Sequence, residues 1–147
     1  MRRGLIVLAT CVVSRLGAQT LQPEIRVDVF GPRPYSLEPG IGVVMPLGNY
    51  VRVSVGSGYA LPLESSLAGE RWRGEVLGRF TFDPFRQRRW ALSLGGGVTY
   101  RRSTTVLAAI ADVEGPAIRG VVPAVQAGVS GGGRVGIVLR RAVAGRR

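Results

Sequence analysis

Catalysis needs bases, nucleophiles or metal ligands, and this sequence is nearly bare of them. It contains no histidine and one cysteine, Cys11. Imidazole bases, Ser–His–Asp relays and zinc sites built on histidine or paired cysteines are therefore excluded. The nine acidic residues are scattered, whereas a carboxylate-only hydrolase needs paired acids in a cleft. Gly95-Gly96-Gly97 and Gly131-Gly132-Gly133 are not phosphate loops, because no helical stretch follows either run and the chain has no lysine. An enzyme, a bound cofactor and a metal are all unexpected. What the sequence does hold in quantity is arginine and glycine. All 20 basic residues are Arg, the net charge is +11, and 22 residues are Gly. Arg-only basicity suggests a nucleic-acid binder, but the N-terminus argues against that partner.

Met1-Arg2-Arg3 is a short positive region, followed by the largely apolar run Gly4 to Val13 and by small residues up to Ala18. This pattern predicts a secretory signal peptide over residues 1–18, cut before Gln19. The run is too short for a spanning helix, which needs about 20 apolar residues. A lipoprotein would use Leu8-Ala9-Thr10-Cys11, where Thr10 fits poorly. Cleavage removes Arg2, Arg3, Arg15 and the only cysteine, leaving 17 basic against 9 acidic side chains, net +8. A cysteine-free exported chain suits an oxidising compartment. Residues 19–147 are long enough for one domain with a real core.

That domain reads as all-β. Period-two alternation marks strands with one apolar and one polar face. From Trp90 to Tyr100, Trp90, Leu92, Leu94, Val98 and Tyr100 oppose Ala91, Ser93, Gly95, Gly97 and Thr99. From Glu70 to Asp83, Trp72, Val76, Phe80 and Phe82 oppose Arg71, Arg73, Glu75, Arg79 and Thr81, with Leu77 an apolar exception on the polar side. Ile25, Val27 and Val29 oppose Glu24, Arg26 and Asp28; Val51, Val53, Val55 and Tyr59 oppose Arg52, Ser54, Gly56 and Gly58. Weaker segments follow Leu37 to Met45, Val121 to Val129, and Val135 to Arg140. Thr104 to Val113 is apolar on both faces, so its register stays open. Turn-rich connections at Gly31–Pro34, Pro46–Asn49, Asp83-Pro84, Glu114–Pro116 and Ser130–Gly133 separate eight strands. Short links allow only antiparallel neighbours, and closure removes the exposed edges. The expected fold is an eight-stranded antiparallel up-and-down β-barrel, with Pro123 at a strand start or bulge.

Alternation alone leaves open whether the apolar face points in or out. Aromatic spacing favours out. Trp72 and Phe82 are ten residues apart on one face, as are Trp90 and Tyr100. Ten strand residues rise about 33 Å, and a barrel tilt reduces this to roughly 25 Å, the height of a lipid-facing band between two aromatic girdles. Tyr59, Trp72, Phe80, Phe82, Trp90 and Tyr100 are the girdle candidates. The charged face then lines the lumen, where Arg26, Asp28, Glu38, Arg52, Arg71, Arg73, Glu75 and Arg79 form a polar network, with Glu24 a further partner. Glycines on that face (Gly40, Gly42, Gly56, Gly58, Gly95, Gly97, Gly128, Gly136) leave room for long Arg side chains.

With an export signal, alternating strands of about ten residues, paired aromatics and a glycine-rich polar face, the chain resembles the small outer-membrane barrels of the OmpA, OmpX and OmpW type. The resemblance covers residues 19–147 as a pattern, without a family motif. It implies a transmembrane barrel in the outer membrane, non-enzymatic, structural or narrow-channel, with outer-membrane lipids and the barrel-assembly machinery as partners. Two departures stand out: the chain runs past Leu139 to Arg147 without a terminal aromatic, and its longest loop candidate is only Leu61 to Gly69. Arg86-Gln87-Arg88-Arg89, beside Phe85 and Trp90, reads equally as a turn that meets lipid phosphates and as a simply solvated, positively charged turn. The competing reading is a soluble exported lipocalin-like barrel carrying a hydrophobic ligand. Against it, the chain shows no early Gly-x-Trp and no helix after the last strand.

Overall fold

A computed structural model describes residues 21–31, 35–63, 71–82, 90–101 and 104–142. The expected signal peptide (1–18), Phe85, the Arg86–Arg89 turn, most of the 61–69 loop and the tail after Ala142 lie outside the described residues.

The strands are β1 (Gln22–Gly31), β2 (Ser36–Leu47), β3 (Val51–Tyr59), β4 (Leu61–Pro62), β5 (Trp72–Thr81), β6 (Ala91–Arg101), β7 (Thr104–Glu114), β8 (Val121–Val129) and β9 (Gly133–Arg141). All pairings between neighbouring strands are antiparallel, and β1 pairs with both β2 and β9. The sheet therefore closes on itself, and no strand edge is left along the ring.

Nine segments make eight staves, because β4 continues β3 after a break at Ala60. Gly40↔Gly58 and Ser36↔Pro62 fall on one register, so the two segments form a single line. The break has a chemical cause. It lies opposite Glu38-Pro39, and proline has no N–H to offer the ladder. On its other side Ala60 donates to the Arg71 carbonyl at 2.7 Å, continuing the β3–β5 register. Pro123 sits near the start of β8, just ahead of the β7 ladder that begins at Ala124↔Glu114; its carbonyl accepts from Gly115 N at 2.8 Å.

Connectivity sorts the ends. One end gathers the start of β1, the Gly48–Tyr50 turn, Phe82, Trp90, the 115–120 link and the end of β9. Gly31, Tyr35, Leu63, Arg71, Arg101 and the Ser130–Gly132 turn lie at the other. Gly48, Gly120 and Gly131 carry the positive φ values these tight links require, and Arg119 (φ 50°) joins them.

The faces are inverted relative to a water-soluble protein. In β1, Glu24, Arg26, Asp28 and Phe30 are buried while Ile25, Val27 and Val29 are exposed. In β9, Arg134 and Arg140 are buried while Val135, Ile137 and Leu139 are exposed. The open register of β7 is settled: Ala108, Ile110, Asp112 and Glu114 point in, and Leu107 (82% exposed) and Val113 point out. Leu77, apolar on an otherwise polar face, packs inside against Ala108 and Ile110.

Candidate functional site: the charged lumen and the aromatic wall

The lumen is built by a simple local rule. Every inward glycine named above faces a bulky side chain across the ladder: Gly40↔Arg26, Gly42↔Glu24, Gly136↔Asp28, Gly56↔Glu75, Gly58↔Arg73, Gly95↔Arg79, Gly128↔Arg134 and Gly97↔Leu77. An eight-stranded barrel is just wide enough for side chains to fill, so each long side chain needs a hollow beside it. A Cβ at Gly56 would lie 2.6 Å from Arg26 Nη2, one at Gly42 3.0 Å from Glu24 Oε1, and one at Gly136 2.0 Å from Asp28 Oδ1.

Among the described residues, seven arginines (26, 52, 73, 79, 101, 134, 140) and six carboxylates (24, 28, 38, 75, 112, 114) project into this space. They form two clusters. Near the end holding the first residue of β1 and the last of β9, Arg140 binds three acids at once: Nε to Glu24 at 3.0 Å, Nη1 to Glu114 at 2.6 Å and Nη2 to Asp112 at 2.9 Å. Arg52 donates to Glu114 at 2.5 Å. Arg79 lies 3.3 Å from Asp112 and 3.6 Å from Glu24. Toward the other end, Glu75 accepts from Arg26 and, at 2.6 Å, from Arg134. Arg73 donates to Asp28 at 2.8 Å and lies 3.3 Å from Glu38, which also accepts from Arg101. The 3.8 Å approach of Arg26 to Glu24 joins the clusters.

Phe30 closes the second cluster. Its ring is buried, with the guanidinium carbons of Arg73 and Arg101 each 4.6 Å from its centre and that of Arg134 at 6.0 Å. Cation–π attraction of this kind strengthens away from water. Guanidinium suits the whole arrangement because its rigid fork serves several acceptors in fixed directions, which a lysine cannot do.

The network differs from the sequence expectation in composition. Arg26, Asp28, Glu38, Arg73, Glu75 and Arg79 are buried together, and Arg52 is partly buried at one mouth. Arg71 does not belong. It precedes the first residue of β5 and is exposed at the rim, because the strand begins one residue too late to carry it inside. Missing from the expected set were Arg101, Asp112, Glu114, Arg134 and Arg140. A signal for them existed: Asp112 and Glu114 share a parity in β7, and Arg134, Gly136 and Arg140 repeat the charge-and-glycine face of the other strands. Among the described residues no group of histidine, cysteine or acidic side chains is arranged to hold a metal.

Outside, aromatic side chains gather at both ends. Tyr59 pairs with Trp72 across the ladder, and the Trp72 and Tyr100 rings lie 5.9 Å apart. At the opposite end Tyr50 stacks on Phe80 at 5.7 Å, and Phe80 meets Phe82 edge-on at 5.4 Å. Trp90, 62% exposed, stands at that same end. Between the two belts the wall is mainly Val, Ile, Leu, Ala and Gly, with Met45 and Ser57 among them. No charged side chain in it faces outward among the described residues.

No protein-family model matches the chain, and no curated protein matches it by sequence. Solved structures do. A de novo designed transmembrane β-barrel superposes with a TM-score of 0.65 at 17% identity, covering 83% of this chain and 95% of that one. Neisserial surface protein A matches with a TM-score of 0.62 at 11% identity, covering 84% and 96%. The N-terminal β-barrel domain of Pseudomonas aeruginosa OprF matches with a TM-score of 0.58 at 8% identity, covering 84% and 98%. At these identities the likeness is one of fold.

Proposed function

We propose that this chain is an integral outer-membrane β-barrel without enzymatic activity. In this reading it serves a structural role or carries at most a narrow, ion-scale path, and its lumen is packed shut by guanidinium–carboxylate pairs. One observation carries the reading: the surface between the aromatic belts is apolar while the ionised side chains are buried inside. Water would penalise that arrangement and hydrocarbon rewards it, since an outward arginine at mid-depth costs about 2–4 kcal/mol in a bilayer. The neighbours of known structure support it, being transmembrane or outer-membrane barrels. The lipocalin-like alternative needs an apolar interior, and this interior is filled by salt bridges.

The export signal, the outer-membrane lipids as solvent and the barrel-assembly machinery as folding partner belong to the same proposal. The test is fractionation of cells expressing the full chain, followed by planar-bilayer recording of the purified barrel. The expected result is recovery with the outer membrane, a band that migrates faster unheated, and no porin-sized current steps. Recovery as a soluble protein, or wide-open channels, overturns it.

A further inference from the structure

The outer wall is not evenly convex. One ladder row runs Ile25–Ile41–Ser57–Gly74–Tyr100–Thr105 across β1, β2, β3, β5, β6 and β7. Its middle two members are the smallest, so the wall sinks there between Ile41 and Tyr100. The Trp72 indole lies across the dip: a Cβ at Gly74 would come 2.7 Å from its Cη2, and its Nε1 donates to Ser57 Oγ at 2.8 Å. The indole covers Gly74, and beside it runs a groove of about 870 Å³ lined by Trp72, Val55, Val76 and Val98. A smaller lobe of about 370 Å³ continues past Ser57 toward Pro39 and Tyr59.

We propose that this groove is a lipid-binding site that holds one acyl chain of a membrane glycerophospholipid, longer than the surrounding wall holds its neighbours. The inference rests on the membrane reading and names an occupant for one part of its surface. Three observations choose a hydrocarbon chain. The Trp72 N–H at the floor is taken up by the Ser57 hydroxyl, and the lining around them is mainly Val, Ile and aromatic surface with no charged group pointing outward into it, so hydrocarbon matches it better than a polar ligand. The groove is continuous with the bilayer-facing wall and ends at the belt of Trp72 and Tyr100, the depth at which acyl chains meet headgroups. A second copy fits badly, because a two-fold dimer sets a patch against itself and two hollows would face each other.

The experiment uses the mature chain folded in dodecylmaltoside micelles, with a faster-migrating unheated band taken first as proof of folding. Trp90→Phe leaves Trp72 as the sole tryptophan, and phosphatidylglycerol brominated along its chains is titrated in at a few lipids per barrel. The expected result is quenching of Trp72 that saturates near one lipid per barrel. Ser57→Phe or Val76→Phe, both outward and clear of the lumen, should raise the lipid needed by about tenfold. Val125→Phe, on the far wall, should leave it unchanged. Quenching that only follows the brominated fraction of the micelle, alike in every variant, overturns the groove while leaving the barrel intact. Loss of quenching together with a cross-linked dimer would give the face to a second copy instead. Absence of a folded band removes the membrane reading and the groove with it.

Discussion

The unit that organises this protein is a glycine set beside a charge. A glycine in a strand ordinarily weakens it, yet here the inward glycines named above face an arginine or carboxylate across the ladder, with Gly97 opposite Leu77 the exception. Gly136→Ala should therefore destabilise the folded barrel by about 1–3 kcal/mol, the usual range for overpacking, because its Cβ would meet both Asp28 Oδ1 and, at 2.7 Å, the Val27 carbonyl. Outward Gly78 is the control: a Cβ there meets nothing nearer than 3.8 Å, and Gly78→Ala should stay within about 0.5 kcal/mol of wild type. Urea unfolding in vesicles, followed by unheated gel migration, reads both. Charges have their own ranking. Arg140→Met strips three acids of a hydrogen-bonded partner, which for buried pairs costs about 3–5 kcal/mol. Arg79, in ion-pair range of two acids without a hydrogen bond to either, should cost clearly less when changed to Met. An equal loss at both positions would mean that the lumen responds to charge count and not to geometry.

At the scale of the strand, the alternation in sequence carried most of the information. Trp90 to Tyr100 reads as a strand from its residues alone, and β6 occupies Ala91–Arg101. The glycine-rich polar face of β2 and β3 was legible for the same reason. Where both faces are apolar, as in β7, periodicity has nothing to compare. Only the terminal Asp112 and Glu114 disclose its parity, and only once the lumen is known to be polar. Arg71 shows the opposite failure: parity aligns it with Arg73, but parity does not say where a strand starts. Nor could any sequence pattern foresee that Arg140 would gather acids from β1 and β7, since such contacts depend on closure. The outward face makes a separate prediction. Leu94→Arg, at the middle of β6 on the lipid side, should cost about 2–4 kcal/mol in bilayers, measured against Leu94→Ala in the same unfolding assay. A negligible penalty would mean this face does not meet hydrocarbon.

For the whole molecule, closure of the sheet and inversion of its faces are one fact. A sheet that puts its charges inside must exclude water from them by pairing, and a ring of eight strands has the right bore for side chains to meet across it. Such buried pairs seldom outperform well-packed apolar residues in net stability. Their role here is to let a barrel present hydrocarbon on every outward side and still fill its centre. The most direct test of this inversion is to fold residues 19–147, the chain without its proposed signal peptide, in plain buffer and in detergent micelles, following far-UV circular dichroism and unheated gel migration. The account predicts native sheet and a faster-migrating band only when micelles are present. A monodisperse, cooperatively folded sheet protein in buffer alone would contradict it, since the apolar face would then have to lie inside.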